Sequence, residues 1–292
     1  MSEHPERVVR LPRGRVLSLD RTPLVMGIVN VTPDSFFEGS RRIEAEQAIE
    51  TALEMAARGA AIIDFGAEST RPGSFEVSPG EEMARLLPVI AGFRSRSDAV
   101  ISVDTRHPET AASALEAGAD IINDIEALRR PGMAEVIARY GAGVVLMHMQ
   151  GTPQTMQIAP FYVDCLEEVI QFLHDAARRA IKSGIAPESI IFDPGIGFGK
   201  TLEHNLQLIR GISRLKIEGF PVLIGLSRKR MIGDLTGQPI EARLAGSLGG
   251  ALAAFANGAD ILRVHDVPET CDALRVFSAA WNPQSLPGGD RS

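Results

Sequence analysis

Apolar residues along this chain gather in short β-rich runs, each ending on a polar residue or a turn. The runs are LVMGIV (24–29), AIIDFG (61–66), VISVD (100–104), DIIND (120–124), GVVLMHM (143–149), SIIFD (189–193), PVLIGL (221–226) and DILRVH (260–265). Short apolar runs bounded by turn residues predict buried strands. Between them lie segments of helical period at 43–58, 80–96, 108–117, 132–140, 162–183, 202–212, 241–257 and 268–280. Strand patterns alternating with helix patterns predict parallel strands joined by crossover helices. Eight such units suit a single α/β domain, a (β/α)8 TIM barrel, whose usual length is about 250 residues.

An internal echo supports the repeat: RGAAIIDFG, AGADIINDI, YGAGVVLMHM and NGADILRVHD each place a Gly, then a small residue, before an apolar run. Gly suits the left-handed position after a helix end. A doubly wound open sheet is the alternative, but the GxGxxG phosphate fingerprint is missing after the first strand. RVVR (7–10) and RVLSL (15–19), around Pro12-Arg13-Gly14, predict an N-terminal hairpin. The expected organisation is a hairpin segment over 1–23 packed on the barrel, the barrel over 24–280, and a flexible tail over 281–292.

Composition narrows the function. A formal net charge of −7 argues against a general nucleic-acid surface, though not against a small anion held by local Lys and Arg. Cys165 and Cys271 lie far apart without metal-ligand spacing. The polar N-terminus has no apolar signal core, and no run reaches a membrane span of about 18 residues. The expected compartment is the cytoplasm, with no membrane partner.

In such barrels chemistry sits where the strands end. The ends here carry Asn30, Asp64 followed by Glu68, Asp104, Asn123-Asp124, His148, Asp193, Ser227-Arg228-Lys229, and Arg263 with His265. After Asp193 comes Pro194-Gly195-Ile196-Gly197-Phe198-Gly199-Lys200, whose glycines would let backbone approach a flat ligand. Asp193 alone would more simply cap a helix; the other strand ends reverse that reading. Asp104, Asn123 and Asp193 can pair with the polar edge of a heterocycle such as a pterin. Two carboxylates also suit an acid/base pair or the oxygen shell of a hard cation.

Ser227-Arg228-Lys229-Arg230 starts a short helix, where free backbone N–H groups add to anion affinity; in isolation it reads as a solvated charge run. Arg263 and His265 share one strand face and, with Asn30, can grip a diphosphate. Asn30 can also offer an oxygen to Mg²⁺. The stretches 31–41 and 66–80 exceed ordinary βα turns and suit lids.

Taken together, MGIVNVTPDSF, ESTRPG, SVDT, DIINDI, LMHMQGTP, DPGIGFGKT, GLSRKRMIG and RVHDV resemble the dihydropteroate synthase family, in order, from about Leu24 to about Thr270. The resemblance implies a barrel, usually dimeric, that joins 6-hydroxymethyl-7,8-dihydropterin diphosphate to 4-aminobenzoate and releases diphosphate, with Mg²⁺. By motif it places Asp104, Asn123, Met147, Asp193, Lys229 and Arg263 around the pterin. Thr70, Arg71, Pro72, Phe198 and Ser227, with Lys229, would form the aminobenzoate site. Asn30, Thr70, Arg263 and His265 would hold diphosphate, Asn30 would be the metal position, and Asp34 and Phe36 would belong to the lid. Arg263, His265, Lys229 and Asp104 are the expected catalytic set.

Two departures from the family pattern stand out. DSFFEGSRR is bulkier than the Ser, Asp and second Gly common after DSF, and Gly66-Ala67 replaces a Gly pair. Both bear on lid geometry and on the response to sulfonamide mimics of aminobenzoate. Competing readings are a methyltetrahydrofolate-binding methyltransferase, a pterin-binding paralogue without turnover, and a phosphate-binding aldolase-like barrel. ESTRPG and SRK oppose the first; Phe36-Phe37 is the only support for the second; the third lacks a strand-end Lys suited to an imine.

Overall fold

The computed structural model describes residues 7–19, 22–31, 38–68, 77–216 and 218–281. The first two strands, β1 (Arg7–Arg10) and β2 (Val16–Leu19), form an antiparallel hairpin. Then strand and helix alternate: β3 (Leu24–Asn30), α1 (Glu38–Ala57), β4 (Ile62–Gly66), α2 (Pro79–Arg94), β5 (Val100–Asp104), α3 (Pro108–Glu116), β6 (Ile121–Asp124), α4 (Met133–Tyr140), β7 (Gly143–Met147) and α5 (Cys165–Lys182). The second half runs β8 (Ile190–Asp193), α6 (Leu202–Arg210), α7 (Ile212–Leu215), β9 (Leu223–Ile224), α8 (Arg230–Thr236), α9 (Leu244–Ala256), β10 (Ile261–Val264) and α10 (Val267–Trp281).

Eight parallel strands lie in the order β8-β7-β6-β5-β4-β3-β10-β9. One further bridge, Phe192 to Val222, with Phe192 N–H donating to Pro221 O at 2.8 Å, joins β8 to the β9 side. The fold is the (β/α)8 barrel expected from the alternation.

Alternation along each strand creates two cores. One face points outward: Ile63, Phe65, Ile101, Val103, Ile122, Val144, Leu146, Phe192 and Leu262 pack against the helices. The other points inward. At the strand starts it is apolar, and Met26, Ile62, Val100, Ile121, Val145, Ile191, Leu223 and Ile261 fill the lower barrel. Val9, Leu11, Leu17 and Leu19 of the hairpin join that cluster, so the hairpin plugs the floor. Ion pairs fasten it: Arg13 and Arg15 reach Asp120 at 2.7 Å, and Arg7 reaches Asp260 at 2.7 Å.

Some boundaries differ from the sequence reading. The run 221–226 yields only a two-residue strand, because Pro221 cannot donate to the ladder and Gly225 weakens pairing. The run 143–149 ends as strand at Met147, since His148 and Met149 already belong to a loop. The segment 31–41 is not all loop: α1 begins at Glu38. Helix α5 starts at Cys165 rather than 162 because Asp164 caps it, accepting from Leu166 N and Glu167 N. Asp34 and Phe36, and Thr70, Arg71 and Pro72, lie outside the described residues, as does the tail from 282.

Candidate active site

The inward face that is apolar at the floor turns polar one or two steps up. Two residues beyond Ile62, Val100, Ile121, Val145, Ile191 and Ile261 come Asp64, Ser102, Asn123, Met147, Asp193 and Arg263. Asp104 follows one step higher on β5 and pairs in register with Asn123; Met147 pairs with Asp193. The strand period alone therefore brings side chains from distant sequence positions to one rim.

Hydrogen bonds confirm the convergence. Arg263 donates from Nε to Asp64 at 2.6 Å and from an Nη to Asp104 at 2.9 Å. Asn123 Nδ2 donates to the same Asp64 oxygen at 3.2 Å. Asp193 accepts from Gly195 N–H at 2.7 Å, which turns the loop back at the strand end. Lys229 Nζ donates to Ile196 O at 2.5 Å and stands 4.6 Å from the centre of the Phe198 ring. Phe198 packs beside Met147, Met149, Met156 and Ile125. Ser227 Oγ lies 3.1 Å from His265 Nδ1, so these two residues, expected on different substrates, touch. Asn30 is exposed at the end of β3.

A family model described as "Pterin binding enzyme" matches residues 26–265. Dihydropteroate synthase of Escherichia coli (strain K12) is 47% identical over 267 residues, which cover 91% of this chain and 94% of that protein. The chain belongs to the dihydropteroate synthase family. The Haemophilus influenzae dihydropteroate synthase agrees, at 44% identity over 260 residues, 89% of this chain and 94% of that one. A structure of Xanthomonas albilineans dihydropteroate synthase with 4-aminobenzoic acid superposes with a TM-score of 0.87 at 45% identity, covering 97% of this chain and 100% of that one. Another from that organism, in complex with 7,8-dihydropteroate, gives 0.83 at 41% identity, covering 96% and 100%. As a member of the dihydropteroate synthase family, the protein is a transferase.

Burial and neighbouring charge set the electrostatics of this family site. Burial raises Asp104 to about 7, with Asp64, Glu82 and Glu68 adding to the rise and Arg263 opposing it. Burial also raises Asp193, against Lys229, the Gly195 N–H and Arg263. Lys229 falls to about 8, through burial first, with Asp193 and Asp104 pulling the other way. Burial opposes the charge on Arg263, but Asp64 and Asp104 outweigh it and raise the guanidinium. Asp104 and Lys229 thus stand closer to neutral pH than the free side chains do, as groups at functional sites do.

Several residues read from the sequence only as strand-end polar groups, without a role, work at the rim. Asp64 sits mid-run in AIIDFG, yet it is fully buried and orients both Arg263 and Asn123. Its period-2 phase with Ile62 was the available signal. Arg228 is not part of a solvated charge run. It adopts φ 57° and bonds Asp266 through Nε at 3.0 Å; its N–H donates to Ser247 at 2.9 Å, and Arg243 donates to its carbonyl at 3.1 Å. That clamp fixes Ser227 and Lys229 on either side, while Arg230 points to solvent. Glu68, beside the described end of the second long loop, is held by Arg106 at 2.6 Å, and Arg106 also reaches Glu126 at 3.1 Å. The glycine run serves loop packing more than ligand approach. A Cβ on Gly195 would lie 1.9 Å from His148 O, and one on Gly199 2.6 Å from Gln150 O.

Proposed function

We propose that this rim binds 6-hydroxymethyl-7,8-dihydropterin diphosphate and 4-aminobenzoate and joins them by dissociative substitution. The observation that carries the reading is the single hydrogen-bonded group of Asn123, Asp64, Arg263 and Asp104, with Asp193 and Lys229 beside it. Such a set offers acceptors to the N–H edge of a pterin and cations to its oxygens. In this reading Asp104, Asn123, Asp193, Lys229 and Arg263 hold the pterin, with Met147 in the wall. Phe198, Ser227, Thr70, Arg71 and Pro72 form the aminobenzoate side, and Asp34 and Phe36 belong to the lid.

The bond from the pterin methylene carbon to the diphosphate oxygen breaks first. Arg263, His265, Thr70 and Asn30 face the charge that develops on the departing oxygens. The pterin ring delocalises the cation left behind, and the Asp64 and Asp104 carboxylates favour it. The arylamine nitrogen then attacks that carbon and releases a proton. Its lone pair is free at neutral pH, so no strong base is needed. Closure by the lid keeps water from capturing the cation.

Mg²⁺ fits this site. Asn30 offers one exposed, neutral oxygen at the strand end. That suits an ion that keeps several waters and takes the substrate's phosphate oxygens. When bound, Mg²⁺ supplies charge neutralisation on the diphosphate. The same reading includes a cytoplasmic homodimer. Val276 and Trp281 of α10 are 72% and 68% exposed, apolar surface of the kind a partner copy covers. Among the described residues, no helix is long and apolar enough to cross a membrane.

A steady-state assay with both substrates, with and without Mg²⁺, tests the activity. Diphosphate release that requires aminobenzoate, and falls when Arg263 is replaced by Ala, is the expected result. Methyl transfer from a methylated folate without diphosphate release would overturn it.

A further inference from the structure

Lys200 ends the DPGIGFGK loop and is 4% exposed. Among the described residues, no carboxylate lies within ion-pair distance of it. Its Nζ instead meets three neutral acceptors: Phe198 O at 2.9 Å, His148 Nδ1 at 3.0 Å and His148 O at 3.4 Å. An ammonium has three protons and no acceptor, so it satisfies all three. While Lys200 carries its charge, His148 accepts at Nδ1 and carries its proton on Nε2. Burial, with Lys200 and Arg129 adding to it, lowers this imidazole to about 2 and keeps it neutral. Its ring is fixed edge-on against Phe172 at 4.8 Å.

These contacts join two loops, the one after β7 and the one after β8. Two more bonds follow the same seam: His148 N–H to Asp193 O at 2.9 Å, and Tyr162 Oη to Gly199 O at 2.9 Å. Phe198 sits between the seam and the rim. Its carbonyl is held by Lys200 from one side, and its ring faces Lys229 on the other.

Stability does not account for a lysine here. A buried cation with no carboxylate within ion-pair distance is costly, and an apolar side chain of similar volume would fill the space without that cost. Burial lowers Lys200 to about 7, with Asp193 and Cys165 pulling it up and Lys229 pushing it down.

We propose that Lys200 is a positioning residue for the aminobenzoate side of the site, fixing Phe198 against Lys229 by tying the two loops together. This rests on the function proposed above. If the wild-type protein does not couple the two substrates, that reading fails first; the Lys200 test is read only against a working wild type. Lys200→Met keeps the volume and removes the donors. The expected result is a KM for aminobenzoate raised about tenfold, with the KM for pterin diphosphate within about twofold, kcat changed by less than about threefold, and an unchanged or higher unfolding midpoint. An unchanged aminobenzoate KM, or equal rises in both KM values, overturns the proposal. Should Lys200→Met not fold, His148→Gln, which displaces one acceptor and keeps the backbone contacts, is judged by the same split.

Discussion

The floor and the mouth of this barrel both bury carboxylates beside cations, yet the two ends use them differently. At the floor Asp120 accepts from Arg13, Arg15, Arg94 and the Ile101 N–H, and Asp260 accepts from Arg7, Lys216 and the Val222 N–H. Every carboxylate oxygen there is occupied by the chain itself. At the mouth Asp104 and Asp64 share one guanidinium, and Asp64 Oδ1 has no partner among the described residues. Buried polar groups are normally satisfied, and those that are not call for an explanation. A saturated carboxylate fastens the fold; an undersupplied one is held ready for donors that arrive with a ligand.

The contrast can be broken at either end. The largest effect is expected at the floor. Asp120→Ala removes the carboxylate that three arginines share and should cost about 3–5 kcal/mol of stability, measured by denaturant unfolding, without moving the substrate KM of the folded fraction. A loss below about 1 kcal/mol would show that the hairpin does not depend on this anchor. At the mouth the expectation is reversed. Asp193→Ala should leave the unfolding midpoint nearly unchanged and weaken pterin diphosphate binding by more than about a hundredfold, near 3 kcal/mol by calorimetric titration. Normal binding by that variant would remove Asp193 from the site.

The smallest effect is in pH. Burial, with the neighbouring carboxylates, raises Asp104 to about 7 in the folded chain, well above its ordinary value of 3.8. Between those values the folded state holds a proton that the unfolded state lacks, so the contribution of Asp104 to stability grows as pH falls through 7. Pterin binding, which needs the ionised acceptor, should weaken over the same interval. Affinity and the Asp104 contribution to stability, the latter read as the difference in thermal midpoint from Asp104→Asn, should therefore move in opposite directions between pH 7 and pH 5. A flat affinity across that range would show that the carboxylate form is not required.

Much of this was legible in the residues. Apolar runs ending in Asn, Asp, Lys, Arg or His gave the strands and the rim, because a buried parallel strand must be apolar until it leaves the core. What stayed hidden has physical causes as well. Asp64 was visible as a strand-end acid, but its task of orienting Arg263 and Asn123 depends on the inward phase of its strand and on partners 59 and 199 residues away. Lys200 looks like an ordinary loop cation, since nothing local reveals that three carbonyl and imidazole acceptors from two loops surround it. Arg228 read as solvated because its partners, Asp266, Ser247 and Arg243, lie 15 to 38 residues away. Gly195 and Gly199 suggested room for a ligand, whereas the backbone of the neighbouring loop fills that room.

The staves of this barrel are not equally well joined. Beside the two-residue strand β9, the ring is stitched to β8, among the described residues, at the single rung between Phe192 and Val222. Asp193 and Lys229 follow that join on its two sides. Breathing of the cylinder is expected to start where the fewest rungs resist it, at the entrance beside β9, before it reaches the plugged base.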